Sequence, residues 1–371
     1  MSALEERLVL LEGADSSVEH LVECATLTSD ALAAGEPVVA AFAKAKEAYA
    51  ARDLAKQQHC VVAGAELVEL WPAVERAEPL PAARARRILH AFQCAAGAAM
   101  DLPEIPLSTV EQLVSYTERA LLHVGAEPYA AWSLLARLDF IRGDVARVSE
   151  WVARLSPTIN RYNWLVNFTT CPGCELTQIA GWMYASSTPE DTYAVLEPVL
   201  TGVARWNDPP SHVTWLDRQL GSGICEGSRS IAPRLYARAL ANAGRWQEAS
   251  GEARKALTRS KDRNAEEHGR LLTMRLEVAR VAGKGATVDR CVKELVPIVD
   301  DIEDAYELHD ALVAACRAIA ATRPDKHGAT YVGLRERALG LAQRLDARLE
   351  RARHVEATER LLSPTPAPPA A

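Results

Sequence analysis

No apolar stretch in this 371-residue chain approaches the roughly 20 residues that a bilayer-spanning helix needs. The opening residues MSALEERLVLLEG carry acidic side chains where a secretory leader carries basic ones, and their apolar run is short. The expected compartment is therefore the cytoplasm, with no membrane partner. An excess of positive charge is also missing. With a formal net charge of -7, the chain has no general attraction for nucleic acid or anionic lipid, because either needs a basic face to displace counterions. The local basic run Arg84, Arg86 and Arg87 reads as a solvated helix face. No H-E-x-x-H occurs, and no Ser, His and Asp follow one another in the order of a hydrolase triad. Up to Gly125 no segment alternates with period two for long enough to make a strand, and hairpin glycine pairs are absent.

What is present is helical. Composition is 49% hydrophobic and 25% charged, with alanine and arginine prominent, which favours helices and suggests a GC-rich, bacterial genome. The length allows one elongated array or two compact domains. Leu21, Cys24, Leu27 and Leu32 fall on one helical face, and Ser16 with Glu19 has the spacing of a capping box. Helices are predicted over 16–34, over 37–71 with an interruption near Asp53, over 82–100, and from Ser108 as N-cap to near Gly125. Cys24, Cys60, Cys94, Cys291 and Cys316 sit singly in these patterns, where a reduced thiol acts as a small core residue.

From Tyr129 the spacing becomes more specific. A Gly143-Asp144 turn separates helices at 129–141 and 145–155, and Gly244 separates 231–243 from 246–258. In GRWQEASGEARKAL, Gly244, Trp246, Glu248, Ala249, Ala256 and Leu257 stand where a tetratricopeptide repeat keeps its turn glycine, aromatic, small contact residue and closing Ala-Leu. The chain resembles that family over 129–157 and 231–259. Val148 departs from the pattern where the small alanine belongs, and Pro233 where the tryptophan of the first helix belongs. Small residues let paired helices approach closely, and glycine supplies the tight turn. The resemblance implies an all-α fold, a right-handed superhelix of antiparallel helix pairs, with Trp132 and Trp246 internal. The expected organisation is an N-terminal helical region over 1–125, repeat units with a variant centre over 126–259, further repeats and a charged capping helix over 260–361, and a disordered Pro/Ala-rich tail over 362–371.

The variant centre concentrates costly side chains. Trp164, Trp182, Trp206 and Trp215 lie there, with Asn207 and Arg218 beside the last two, and they form the candidate partner-binding surface. Core packing is the competing explanation for the tryptophans. Cys171 and Cys174 flank Pro172-Gly173, so both thiols can face one metal ion, with Cys225 and His212 the nearest further ligands. A redox role needs a relay histidine, and that position is Gln178; a proline-glycine helix entry flanked by packed cysteines explains the same residues. Arg263, Asn264 and His268 have the spacing of HEPN ribonucleases, but an N-cap at Asn264 or Asp262 accounts for them. Asp300, Asp301 and Asp304 imitate the aspartates of helical terpene synthases, and a solvated acidic helix junction accounts for those. Gly283-Lys284-Gly285 is too short for a phosphate loop and follows no strand.

The functional expectation is a scaffold that holds a peptide or partner protein on a concave face, without chemistry or cofactor of its own. The alternative is an enzyme or enzyme subunit, with structural zinc in the central segment or with an HEPN-like ribonuclease site. Metal analysis separates these: one zinc per chain, lost when Cys171 and Cys174 are changed to Ser, marks a zinc centre, and metal-free protein dismisses it.

Overall fold

The computed structural model describes residues 2–54, 56–77, 82–123, 125, 128–159, 172–183, 188–202, 226–259, 265–349 and 353–363. Among them are seventeen α-helices and no strand. The chain folds as two compact units, one of Met1–Trp182 with Thr201–Cys225, the other of Met183–Leu200 with Glu226–Ala371. The tail from 364 lies outside the described residues.

The first unit holds α1 (Ala3–Gly13), α2 (Val18–Ala33), α3 (Pro37–Asp53), α4 (Gln57–Arg76), α5 (Ala82–Asp101), α6 (Leu107–His123), α7 (Tyr129–Arg142), α8 (Val145–Ile159) and nearly all of α9 (Pro172–Met183). Its first helix is capped by Ser2. Ser2 Oγ accepts from Glu5 N at 3.2 Å and Glu5 Oε2 accepts from Ser2 N at 3.0 Å, so the reciprocal cap is here. At α2 the cap is Ser17, whose Oγ accepts from His20 N at 3.1 Å, one residue later than the spacing of Ser16 and Glu19 suggested. The expected interruption near Asp53 is present, because α3 stops there and α4 begins at Gln57. That second helix runs past Trp71 to Arg76 and carries Pro72 within it.

From α1 to α8 each helix packs on the next, and the odd-numbered helices also pack on one another, α1 on α3, α3 on α5 and α5 on α7. Helix α3 touches α1, α2, α4 and α5. It is accordingly apolar nearly all round: Ala40, Ala41, Ala43, Ala45, Ala48, Ala50 and Ala51 are buried, with Phe42 filling the one large gap. Where α4 crosses α5, Gly64 lies so close to Ala95 that a methyl group at position 64 would overlap the alanine side chain.

The second unit holds α10 (Pro189–Leu200), α11 (Glu226–Asn242), α12 (Trp246–Arg259), α13 (Ala265–Val281), α14 (Gly285–Leu295) with a 3₁₀ turn at Val296–Ile298, α15 (Ala305–Thr322), α16 (Gly328–Leu349) and α17 (Arg353–Leu362). Here too the odd-numbered helices form a continuous row, α11 on α13, α13 on α15 and α15 on α17. Ala249 and Ala256, placed at helix contacts by the repeat resemblance, are fully buried in a cluster with Ala237, Leu240, Leu271 and Met274. Trp246 is not internal. Its ring is 36% exposed at the start of α12 and lies under the Lys284 ammonium, 5.0 Å away, because the first residue of that helix sits at the rim of the next turn.

Among the described residues, four helix pairs close with the same turn, the first at Gly35, where φ is 74° and Glu36 N bonds Ala31 O at 2.8 Å. Gly143, Gly244 and Gly283 adopt left-handed φ angles of 76°, 77° and 64°. In each, the following amide bonds five residues back: Asp144 N to Asp139 O at 2.9 Å, Arg245 N to Leu240 O at 2.9 Å, Lys284 N to Ala279 O at 2.8 Å. Gly283-Lys284-Gly285 is therefore a repeat turn, not a ligand loop. The single long C-terminal helix expected from amphipathicity is two helices. Asp346 explains the second start: its carboxylate accepts from His354 N at 2.6 Å and Val355 N at 2.8 Å, capping α17.

Close packing of α4 on α5 sets an expectation. Gly64→Val should lower the denaturation midpoint, at an overpacking cost of about 1–3 kcal/mol. Gly97→Ala, where nothing stands within 4 Å of the added methyl, should instead stabilise by roughly 0.5–1 kcal/mol. Urea unfolding followed by circular dichroism measures both.

Candidate functional site

The central cluster expected to bind a partner lies outside the described residues at Trp164, Trp206, Asn207, Trp215 and Arg218, as do Cys171, His212 and Cys225. Trp182, Cys174 and Gln178 fall on α9, but their side chains are not among those described. Arg263 and Asn264 are likewise outside, while His268 sits on α13 with Nε2 3.4 Å from Glu294. The three aspartates near α15 diverge. Asp304 is buried and caps the helix, accepting from Tyr306 N at 2.9 Å and Glu307 N at 3.1 Å, and exposed Asp300 bonds Arg337 at 2.6 Å. They are a helix junction. Among the described residues no group of three or more His, Cys, Asp or Glu is placed to hold a metal, and no helix is long and apolar enough to cross a membrane.

Two charged clusters on the odd-numbered helices are the alternatives that the geometry offers. In the first unit, Asp101 at the end of α5 is fully buried. Arg52 from α3 bonds it at 2.8 Å, and Arg137 from α7 bonds its other oxygen. Burial pushes the Asp101 carboxyl up, but Arg137 and Arg52 together outweigh this and hold it below the usual carboxylate range. One carboxylate thus ties three successive layer helices together.

On the same helix, every residue from Ile88 to Met100 is buried except His90 and Cys94. Four residues apart, they share one face. Tyr49 of α3 packs its ring 5.0 Å from that of His90. Burial pushes the Cys94 thiol up, but neighbouring His90, with Arg52 behind it, brings it below the ordinary thiol value. The other described cysteines go the opposite way. Burial raises Cys24 and Cys316 to about 12, Cys291 to about 11, and Cys60 further. Those four are the small core residues expected; Cys94 is not. An H-x-x-x-C spacing was visible in the sequence, but its opening to solvent was not.

In the second unit the cluster spans α11, α13 and α15. Arg270 Nε lies 3.1 Å from Glu307 Oε1, and its Nη2 lies 3.8 Å from both Glu266 and Asp304. Beside it Arg238 pairs with Asp310 at 2.8 Å. Arg234 is different. It is only 6% exposed, its Nε has no hydrogen-bond partner, and burial lowers its affinity for the proton against the pull of Glu307. Glu307 Oε2 is also buried without a hydrogen bond. A donor on α11 and an acceptor on α15 thus stand on the two helices that flank α13. A separate hollow of about 520 Å³ on α2, lined by Val18, Leu21, Val22 and Ala25 with Lys56 and His59 at its edge, has few polar groups to orient a ligand.

No protein-family model matches the chain, and no curated protein matches it.

The Asp101 bridge gives a directional test. Asp101→Ala leaves Arg52 and Arg137 facing each other without their anion, and should cost on the order of 3 kcal/mol. Because the folded carboxyl is held below its ordinary 3.8, its contribution is present above about pH 4 and disappears as pH falls through the lower folded value. Stability of the native chain should therefore drop more steeply below pH 4 than that of Asp101→Asn, measured by urea unfolding across pH.

Proposed function

We propose that the chain is a tetratricopeptide-like scaffold whose helix pairs wind into a right-handed superhelix and hold a peptide or partner protein on the concave side. The row of odd-numbered helices in each unit supports this reading, since paired-helix repeats present one continuous layer to a ligand. The observation that carries it is Arg234. A guanidinium Nε buried without a hydrogen-bond partner is costly unless an acceptor arrives. A peptide carbonyl or carboxylate supplies that acceptor, and a peptide amide supplies a donor for Glu307 Oε2. Neighbouring Arg238–Asp310 and Arg270–Glu307 pairs hold both groups in place without consuming them. The central tryptophans belong to the same proposal as apolar anchors, with the cytoplasm as the compartment.

The enzyme alternative has less behind it. Asp304 is occupied as a cap, and His268 faces Glu294. RNA cleavage by the purified chain that disappears in His268→Ala would revive it.

Affinity purification from native extract, quantified against the unsubstituted chain, tests the scaffold reading. Arg234→Met combined with Glu307→Gln should keep the helical circular dichroism and lose at least about tenfold of the specific partner, the penalty of a missing charged hydrogen bond. Trp206→Ala with Trp215→Ala should lose the same partner. A partner set unchanged in both variants overturns the proposal.

A further inference from the structure

Helices α2 and α4 both pack on α3, and between them they leave the hollow of about 520 Å³. One side is α2, with Val18, Leu21, Val22 and Ala25; the other is the start of α4, with Lys56 and His59. Val18 and Val22 are 55% and 62% exposed, so the described chain leaves this apolar wall uncovered. We propose that the hollow binds an alkyl carboxylate, a free fatty-acid anion of medium chain length, with its hydrocarbon on α2 and its carboxylate on Lys56. The inference does not depend on the scaffold reading, whose carrying residues Arg234 and Glu307 lie in the second unit.

The few polar groups of the hollow select that ligand. Thr26 Oγ1 donates to Val22 O at 2.8 Å and Ser29 Oγ donates to Ala25 O at 3.1 Å, so both hydroxyl hydrogens are spent on the backbone of α2. His59 Nε2 is held 2.7 Å from Glu47 Oε1, and Glu47 is itself shared with Lys44. Lys56 is left over: among the described residues no acceptor pairs with its ammonium. No Asp or Glu lines the hollow, and Glu19 and Glu23 of α2 stand outside it in solvent. The lysine is also the N-cap residue of α4, where no side chain caps the helix and the first turn carries no acidic residue. The helix dipole therefore adds to the lysine charge rather than opposing it.

A ligand with several polar groups gives up its bonds to water and finds one partner in return, which is unfavourable. A hydrocarbon with a single anionic end matches both walls: the valines, Leu21 and Ala25 take the chain, and Lys56 takes the charge. The volume is within the roughly 300–1,000 Å³ of small-molecule sites. A neutral or cationic amphiphile shares the apolar wall but not the lysine, and a second copy of the chain laid over the valines has no need of it. Charge at the head group is therefore the feature that discriminates.

Isothermal titration of the full-length chain with decanoate, kept below its micelle concentration, tests this, with decanol and decyltrimethylammonium as neutral and cationic probes. Decanoate should bind at one site per chain. It should bind about tenfold more tightly than octanoate, since each buried methylene contributes about fourfold, and about tenfold more tightly than decyltrimethylammonium. Lys56→Gln should weaken decanoate about tenfold and leave decanol unchanged. Val22→Asp should weaken both; the two positions are exposed, so the helical circular dichroism should stay as it is. Absence of decanoate binding, equal affinity in the unsubstituted chain and Lys56→Gln, or decyltrimethylammonium bound as tightly as decanoate overturns the proposal. So does a dimer in sedimentation that Val22→Asp dissociates and decanoate leaves intact, which makes the hollow an interface between copies.

Discussion

Packing of alanine-faced helices on one another is the constraint from which the first unit follows. Helix α3 contacts four other helices, and seven of its buried residues are alanine. Alanine loses no side-chain freedom on burial, so such a helix orders at low entropic cost, and its short side chains let the neighbouring axes come close. Each alanine buries little apolar area, however, and many contacts must be made at once. That is why a helix with four neighbours tolerates so much alanine, and why Gly64 has to be a glycine where α4 crosses α5.

A smooth alanine face has a second consequence. Small side chains interdigitate weakly, so they specify little about how far one helix slides along another. Polar anchors provide that register. In the first unit Asp101 holds Arg52 and Arg137 from the helices on either side, and Lys44, buried between Glu47 at 2.7 Å and Glu66 at 2.6 Å, fixes α3 against α4. In the second unit the core is richer in leucine and isoleucine, with Leu272, Leu312, Ile319 and Leu341 meeting between helices. Branched side chains there supply more of the shape, yet arginine–carboxylate pairs still cross the layer, as between Arg317 and Glu277 at 3.2 Å.

Much of the helical order was legible because it rests on local chemistry. The Gly143 and Gly244 turns were readable because a left-handed residue between two apolar-periodic segments favours glycine. Gly283 carries the same conformation, in a stretch the sequence already excludes as a phosphate loop. Trp246 was misplaced indoors because position within a repeat was taken to decide burial, whereas its place at the first residue of α12 leaves the ring at the edge under Lys284. The split at 349–353 was illegible for another reason: amphipathic periodicity continues across it, and only the fold brings Asp346 back to cap the next helix. As for the site, His90 and Cys94 lie in a stretch apolar on every side, and no periodicity marks which of its faces remains uncovered. The central tryptophans and cysteines named from the sequence lie outside the described residues or side chains.

Arg52 connects the architectural role of this layer to the acidity of a thiol. Its guanidinium bonds Asp101 at 2.8 Å, and its charge also acts on Cys94 one side of the helix away. A cation already balanced by a carboxylate contributes less field to a thiol than an unpaired one, so His90 rather than Arg52 does most to lower the Cys94 thiol. The same bridge that sets the register of α3, α5 and α7 therefore moderates the thiol. Neutralising Asp101 would release Arg52 toward Cys94 and deepen its acidity, while loosening the helices that expose it. Helix register and thiol acidity are linked through one guanidinium, and they pull in opposite directions.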